Sequence, residues 1–346
     1  MVLAAAASPD IVLLFAAAGL LLYVASRAAV DALTVTADPS PGRMAVAQWM
    51  PVAWLALLAT GAGHAEVGIG VAMATSVAAL ALNLGVLVLL APPENPDPSP
   101  APVSDPDPAP VPAGRAWPFV IPAALLALLA GFSGFLNVLH ALMLLVLGGC
   151  VLAVWQSGPT DDAAPLPPAR RRVRPVQLLL AIALAGVGAW IGFQGILIAD
   201  SRTRVATAGL IAAAVMSPLL VLPALGAGAV ASQNGRTGHV MATLVGITLL
   251  NLCLLLPAVV LLGAARQLIL AWRGGTRELA ELLAAVRPMP FPIGVWRVDT
   301  VLLIVLGLLL VPISLGRWSL KKGEGIALAL GYVAYLLVST AIAVRL

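Results

Sequence analysis

The sequence predicts an all-α polytopic membrane protein: ten transmembrane helices in two inverted five-helix repeats, with a proline-broken helix in each. Three observations carry this. The 346 residues are 61% hydrophobic and only 10% charged, with a mean hydropathy of +1.04. Apolar runs of about 18 residues or more recur along the whole length, as membrane helices require. Two stretches, 47–87 and 219–259, also repeat the same landmarks at an offset of 172 residues. Each opens as an apolar helix containing one proline, Pro51 or Pro223, and reaches Gly63 or Gly235 twelve residues later. A second apolar helix follows, with Ala74-Thr75-Ser76 in the first stretch and Gly246-Ile247-Thr248 and Asn251 in the second. Two proline-interrupted membrane helices at matching places in two halves point to a transporter site at the bilayer midplane.

In chain order, the first repeat unit is 1–91. Its first span, 11–33, is too long for the apolar core of a signal peptide and has no basic start. The turn Asp38-Pro39-Ser40-Pro41 leads to span two, 43–60. Pro51 removes one backbone donor there and its ring presses on the preceding turn, so a kink or break is expected. Gly61-Ala62-Gly63 turns into span three, 66–90. Residues 92–116 form an extended solvated linker, since ten of the 24 residues from Pro92 to Arg115 are proline. Spans four and five, 117–132 and 135–155, make a hairpin about Ser133-Gly134 within the unit 117–155. A polar linker, 156–175, ends in Arg170-Arg171-Arg172-Val173-Arg174.

The second repeat, 176–263, holds span six (176–199), span seven (204–232, broken near Pro218 and Pro223) and span eight (237–263). A proline-punctuated amphipathic linker, 264–298, carries a short interfacial helix at 277–287. Spans nine and ten, 300–316 and 325–344, close the chain within 299–346. Five spans per half is an odd number, so the two halves enter the membrane in opposite senses. With the Arg170–Arg174 cluster in the cytoplasm, loops on its side hold eleven Lys and Arg against eight opposite. Both termini are then non-cytoplasmic, in a multi-pass protein of the cell membrane.

The net charge of +4 comes from loop arginines and speaks to topology, not to nucleic acid. Cys150 and Cys253 sit in apolar runs and read as small buried hydrophobes. With no C-x-x-C and with His64, His140 and His239 scattered, neither a metal centre nor a cofactor is implied. There is no nucleophile elbow, no H-E-x-x-H and no G-x-x-x-x-G-K-[ST] loop. The chain reads as no enzyme, and any transport is secondary, driven by a gradient. The partners this leaves are membrane lipid and a monovalent ion or small solute; a protein partner stays open.

The arrangement resembles the cation/calcium exchangers, including bacterial sodium/calcium antiporters. Each repeat of that family carries a G-T-S-x-P-E segment and, about twenty-five residues on, a G-S-N-I-x-N segment. Here the first pair reads Ala47-Gln48-Trp49-Met50-Pro51-Val52 and Ala74-Thr75-Ser76-Val77-Ala78-Ala79. The second reads Leu219-Leu220-Val221-Leu222-Pro223-Ala224 and Gly246-Ile247-Thr248-Leu249-Leu250-Asn251. The spacing is kept while most identities have drifted. Arg287-Pro288-Met289-Pro290 with Arg297-Val298-Asp299, then Glu324-Gly325 and Tyr332-Val333-Ala334-Tyr335, look like the family's linker before helix nine and its last hairpin. The end of span one, 22–31, is also similar.

The resemblance implies calcium ligation by the two P-E glutamates, supported by hydroxyls and the late Asn or Asp. Val52 and Ala224 stand at the glutamate positions. The surviving polar residues, Gln48, Thr75 and Asn251, with Ser76 and Thr248 beside them, are the transport-site candidates. Calcium takes six to eight hard oxygens, with carboxylates supplying the charge, and these neutral groups do not make that cage. Two functions follow: a transporter of another ion or small solute, or a pseudo-transporter acting as a membrane assembly or regulatory partner. His64, Glu66 and Asn83 are secondary candidates. Glu66 suits a helix start, and with His64 it is also a candidate for a displaced ion or proton site. Asn83, in mid-span, suits an interhelical hydrogen bond or a ligand role.

Overall fold

The structure, a computed structural model, describes residues 8–33, 41–90, 117–132, 134–156, 174–203, 207–233, 237–291, 293–314 and 320–345. The linker 92–116, the arginines at 170–172, Gly235 and Arg236 lie outside the described residues.

The first three helices are α1 (Pro9–Leu33), α2 (Pro41–Ala62) and α3 (Ala65–Leu90). Helix α4 opens with the 3-10 turn Trp117–Phe119 and continues as Val120–Ala130; α5 is Val138–Gln156 and α6 Pro175–Thr203. Helix α7 runs from Ala208–Ile211 through Ala212–Met216 into Ser217–Gln233. Helix α8 runs from Thr237–Leu250 through Asn251–Leu255 into Leu256–Arg273. A short α9 (Leu279–Ala284), then α10 (Ile293–Ser314) and α11 (Lys322–Arg345) complete the chain. Among the described residues, eight helices are long and apolar enough to cross a membrane: α1, α2, α3, α6, α7, α8, α10 and α11. Helices α4 and α5 are shorter apolar helices, which is compatible with the ten expected. The fold is all-α and polytopic.

Several helix starts follow from single residues. Helices α1, α2 and α6 each begin on a proline, whose missing N–H is no loss in a first turn. The Thr207 hydroxyl accepts from the Leu210 N–H at the head of α7. The backbone N–H of Lys321 donates to Glu324 Oε2 at 2.8 Å, one half of a capping box at α11. Gly63, at φ +107°, turns the chain from α2 into α3, and the Arg266 guanidinium occupies the place a side chain would need.

The repeat is carried into three dimensions. Helices α3 and α8 each contain one π-helical turn, Ala78–Asn83 and Asn251–Leu255, at places related by the 172-residue offset. The breaks expected at Pro51 and Pro223 do not occur, because α2 and α7 run through them. Both prolines are buried among neighbouring helices, which hold the weakened ladder in place. The irregularity falls elsewhere. The π turn Ala212–Met216 comes just before Pro218, and that of α8 just before Pro257. A proline ring inside a helix presses on the carbonyl four residues back, here Ala214 or Cys253, and a widened turn gives it room.

Helix α3 is the hub, packed against α2, α7, α8, α10 and α11, while α1 lies along α6. Small residues set the closest crossings. A Cβ on Gly70 would lie 2.8 Å from the Gly209 carbonyl oxygen, and one on Gly85 2.7 Å from that of Gly325. Helix α5 rests on the α8 π turn in the same way. A Cβ at Gly148 would sit 2.9 Å from the Cys253 carbonyl oxygen, whereas Gly149 has nothing within 4 Å. Gly148→Ala is therefore expected to destabilise by about 1–3 kcal/mol, and Gly149→Ala to stabilise by up to about 1 kcal/mol through helix propensity. Thermal midpoints of the two purified variants in detergent check this; equal shifts would contradict the contact.

Two boundaries differ from expectation. Helix α8 continues to Arg273, past 263. Helix α10 begins at Ile293 instead of 300, so Trp296 and Asp299 are helical. The prolines at 288 and 290 hold the chain extended as far as strand β2 (Met289–Pro290), which pairs antiparallel with β1 (Phe135–Leu136), and the helix starts soon after. The short α9 falls inside the expected interfacial segment, with Leu279 and Leu283 exposed.

Candidate transport site

The five transport-site candidates lie on three mutually packed helices: Gln48 on α2, Thr75 and Ser76 on α3, Thr248 and Asn251 on α8. All are buried. Ser76 and Thr248 are twins under the 172-residue offset, and they behave alike. The Ser76 hydroxyl donates to the Ala72 carbonyl at 2.8 Å and that of Thr248 to the Leu244 carbonyl at 3.1 Å. Each donor is spent on its own helix, as serine and threonine commonly do in apolar spans, and each oxygen keeps its lone pairs.

The other three remain unsatisfied. Gln48 Oε1, Thr75 Oγ1 and both amide atoms of Asn251 are buried without a hydrogen-bond partner. A buried polar group left unpaired costs about 1–3 kcal/mol, so these unpaired groups on α2, α3 and α8 stand out from the apolar packing around them. Asn251 opens the π turn of α8 and Asn83 closes that of α3. The Asn83 amide donates to the Val221 carbonyl on α7 at 2.9 Å, an interhelical bond beside Pro223. Its Oδ1 remains free of partners. Ser217, where the α7 π turn ends, is also buried with an unpartnered hydroxyl. Sequence reading passed over Ser217; a serine before Pro218 in an apolar run was the available signal.

Val52 is 1% exposed and Ala224 4%, both within the main apolar core, with Trp49 packed beside it. Among the described residues, no three of His, Cys, Asp and Glu converge to hold a metal ion. Electrostatically this region offers dipoles and lone pairs but no net charge.

His64 and Glu66 lie apart from these residues, at the head of α3. His64 Nδ1 and Glu66 Oε1 are 3.1 Å apart, and the His64 ring meets Phe193 edge-on at 5.5 Å. Their side chains are 38% and 37% exposed. Glu66 nonetheless lines a pocket together with Asp299 of α10.

The family description "sodium/calcium exchanger protein" matches residues 177–341. Two solved structures extend the likeness to the whole chain. The structure of an H+/Ca2+ exchanger, CAX, is 14% identical with a TM-score of 0.65, over 95% of this chain and 82% of that one. The sodium-calcium exchanger NCX_Mj is 17% identical with a TM-score of 0.58, over 94% of this chain and 96% of its own. No curated protein matches by sequence. This chain has the fold of the cation/calcium exchangers, and residues 177–341 also match the sodium/calcium exchanger family in sequence.

Proposed function

We propose that this protein is a member of the cation/calcium exchanger superfamily and a secondary transporter of a monovalent ion or small solute, working among the buried polar groups of α2, α3, α7 and α8, and that it does not exchange calcium. One observation carries the reading: amides and hydroxyls there stay buried and unpartnered while Val52 and Ala224 leave the place without charge. A calcium ion would give up its water for a few neutral oxygens, a loss that nothing offsets. A monovalent ion or a neutral solute asks for less charge and suits amide and hydroxyl ligands. The apolar burial of Val52 and Ala224 favours a second reading, a non-transporting assembly or regulatory partner. The balance of arginines and lysines between the loops supports both termini facing the non-cytoplasmic side of the cell membrane.

Reconstitution into liposomes under an imposed sodium gradient tests this. The expected result is uptake of a radiolabelled monovalent cation, cut about tenfold in Asn251→Ala, the size of one lost hydrogen bond to a charged group. No sodium-dependent calcium uptake is expected. Calcium uptake that Asn251→Ala abolishes would overturn the proposal. Absence of any ion or solute flux would leave the second reading.

A further inference from the structure

A second acidic constellation lies off the repeat axis. The N-terminal parts of α3, α7 and α10 line a pocket that includes Glu66, Met73, Thr207, Phe291, Trp296 and Asp299. Asp299 is only 3% exposed, and its Oδ1 has no hydrogen-bond partner. Among the described residues no cation pairs with it. The guanidinium of Arg297, two residues earlier, lies instead over the Phe132 ring at 5.4 Å. The Thr300 hydroxyl is committed to the Trp296 carbonyl at 2.8 Å. From α11 the hydroxyls of Tyr332 and Tyr335 face the carboxyl group. Glu66, part-exposed and held by His64, lines the same pocket. The series His64, Glu66, pocket, Asp299 therefore leads from the surface to a buried acid.

The 172-residue offset relates Asp299 to Ala127 and Glu66 to Gly238, so this pair has no counterpart in the other repeat. Ionisable side chains inside a helix bundle mark ion or proton pathways. A buried carboxylate with a free oxygen needs either a cation or a proton, because an unpaired charge out of water is very costly. The ligand count decides between them. A metal cation wants several oxygens. The pocket offers two carboxyl groups and the Thr207 hydroxyl, which already accepts from Leu210, and most of its remaining wall is apolar. A proton needs one oxygen. The pocket's volume of about 40 Å³ is room for two or three waters.

We propose that Asp299 is a proton-carrying site, loaded through this pocket with Glu66 as the relay at its mouth. The Glu66 carboxyl passes its proton through pocket water to Asp299 Oδ1, where an O–H bond forms, and the Glu66 carboxylate is reprotonated from solvent; no electrons move. This site would supply a coupling ion, yet it stands whether or not the central site transports, and its test involves no transport.

Infrared difference spectroscopy on the full chain in lipid nanodiscs, between acid and alkaline buffer and between H2O and D2O, reads it directly. The wild type should show the C=O stretch of a protonated carboxylic acid, and Asp299→Asn should lose it. Glu66→Gln should keep the band but slow its exchange into D2O about tenfold or more, as for loss of a positioned acid–base group. Glu66 is part-exposed, so that variant decides the matter if Asp299→Asn fails to fold. A band that persists in Asp299→Asn, unchanged exchange in Glu66→Gln, or loss of the band on adding sodium at constant pH would overturn the assignment; the last would make the ligand a metal cation.

Discussion

Gly209→Leu is expected to lower the thermal midpoint of the purified protein drastically, or to prevent a folded state. Even the first atom of a new side chain, its Cβ, would stand 2.8 Å from the Glu66 carbonyl oxygen. Reciprocally, the Gly209 carbonyl lies 2.8 Å from where a Gly70 Cβ would be. Both obstacles are backbone, so no side chain can step aside, and α3 must separate from α7. Overpacking by a methylene or two costs about 1–3 kcal/mol; a leucine at a backbone-on-backbone crossing exceeds that. Since α3 is the helix on which α2, α7, α8, α10 and α11 converge, the damage is not local. Heating detergent-purified protein and measuring the monodisperse fraction by gel filtration checks the result. Gly149→Leu, in open space, is the matched control and should behave as wild type. An unchanged midpoint for Gly209→Leu would mean that the crossing is not made.

Val52→Glu tests the charge argument from the opposite side. The position is buried in the apolar core, and the atoms around it supply no cation. A carboxylate placed there should destabilise by about 3–5 kcal/mol, the penalty of an uncompensated buried charge. The same thermal assay reads it, with and without calcium. Calcium is expected to restore little in the single variant, because the second carboxylate position is Ala224. The double variant Val52→Glu with Ala224→Glu is the informative extension. A calcium-dependent rise in its midpoint would show that the exchanger geometry persists and only its charges are missing. A Val52→Glu protein as stable as wild type would mean that the level is wet, and the case against calcium would weaken.

Much of the fold was legible in the chain. Apolar runs separated by prolines, glycines and arginines located the spans, because membrane helices must be long, apolar and internally hydrogen-bonded. The offset of 172 residues predicted that Ser76 and Thr248 are equivalent, and both hydroxyls do bond back to the carbonyl four residues earlier. The faces of the helices were not legible. In water an amphipathic stripe tells inside from outside, but lipid is as apolar as the core. On α1, Leu13 is 68% exposed and Leu22 fully buried, two leucines that composition cannot tell apart. Proline was an uneven guide to irregularity: α2 and α7 pass through Pro51 and Pro223, whereas the π turns Ala212–Met216 and Asn251–Leu255 end just before Pro218 and Pro257, and Ala78–Asn83 has no proline after it in its helix.

The sequence by itself determined the class of protein, the repeat, and the replacement of both expected carboxylates by Val52 and Ala224. These are one-dimensional facts: hydropathy, spacing and identity. Only the tertiary structure decided which polar groups are left without partners, since burial and pairing depend on what another helix brings. It alone set Glu66 and Asp299 against one pocket, although they lie in opposite halves of the chain. Asp299 had looked like the tail of a linker. It became a buried acid because α10 starts earlier than its apolar run, and because α3 and α11 pack against α10.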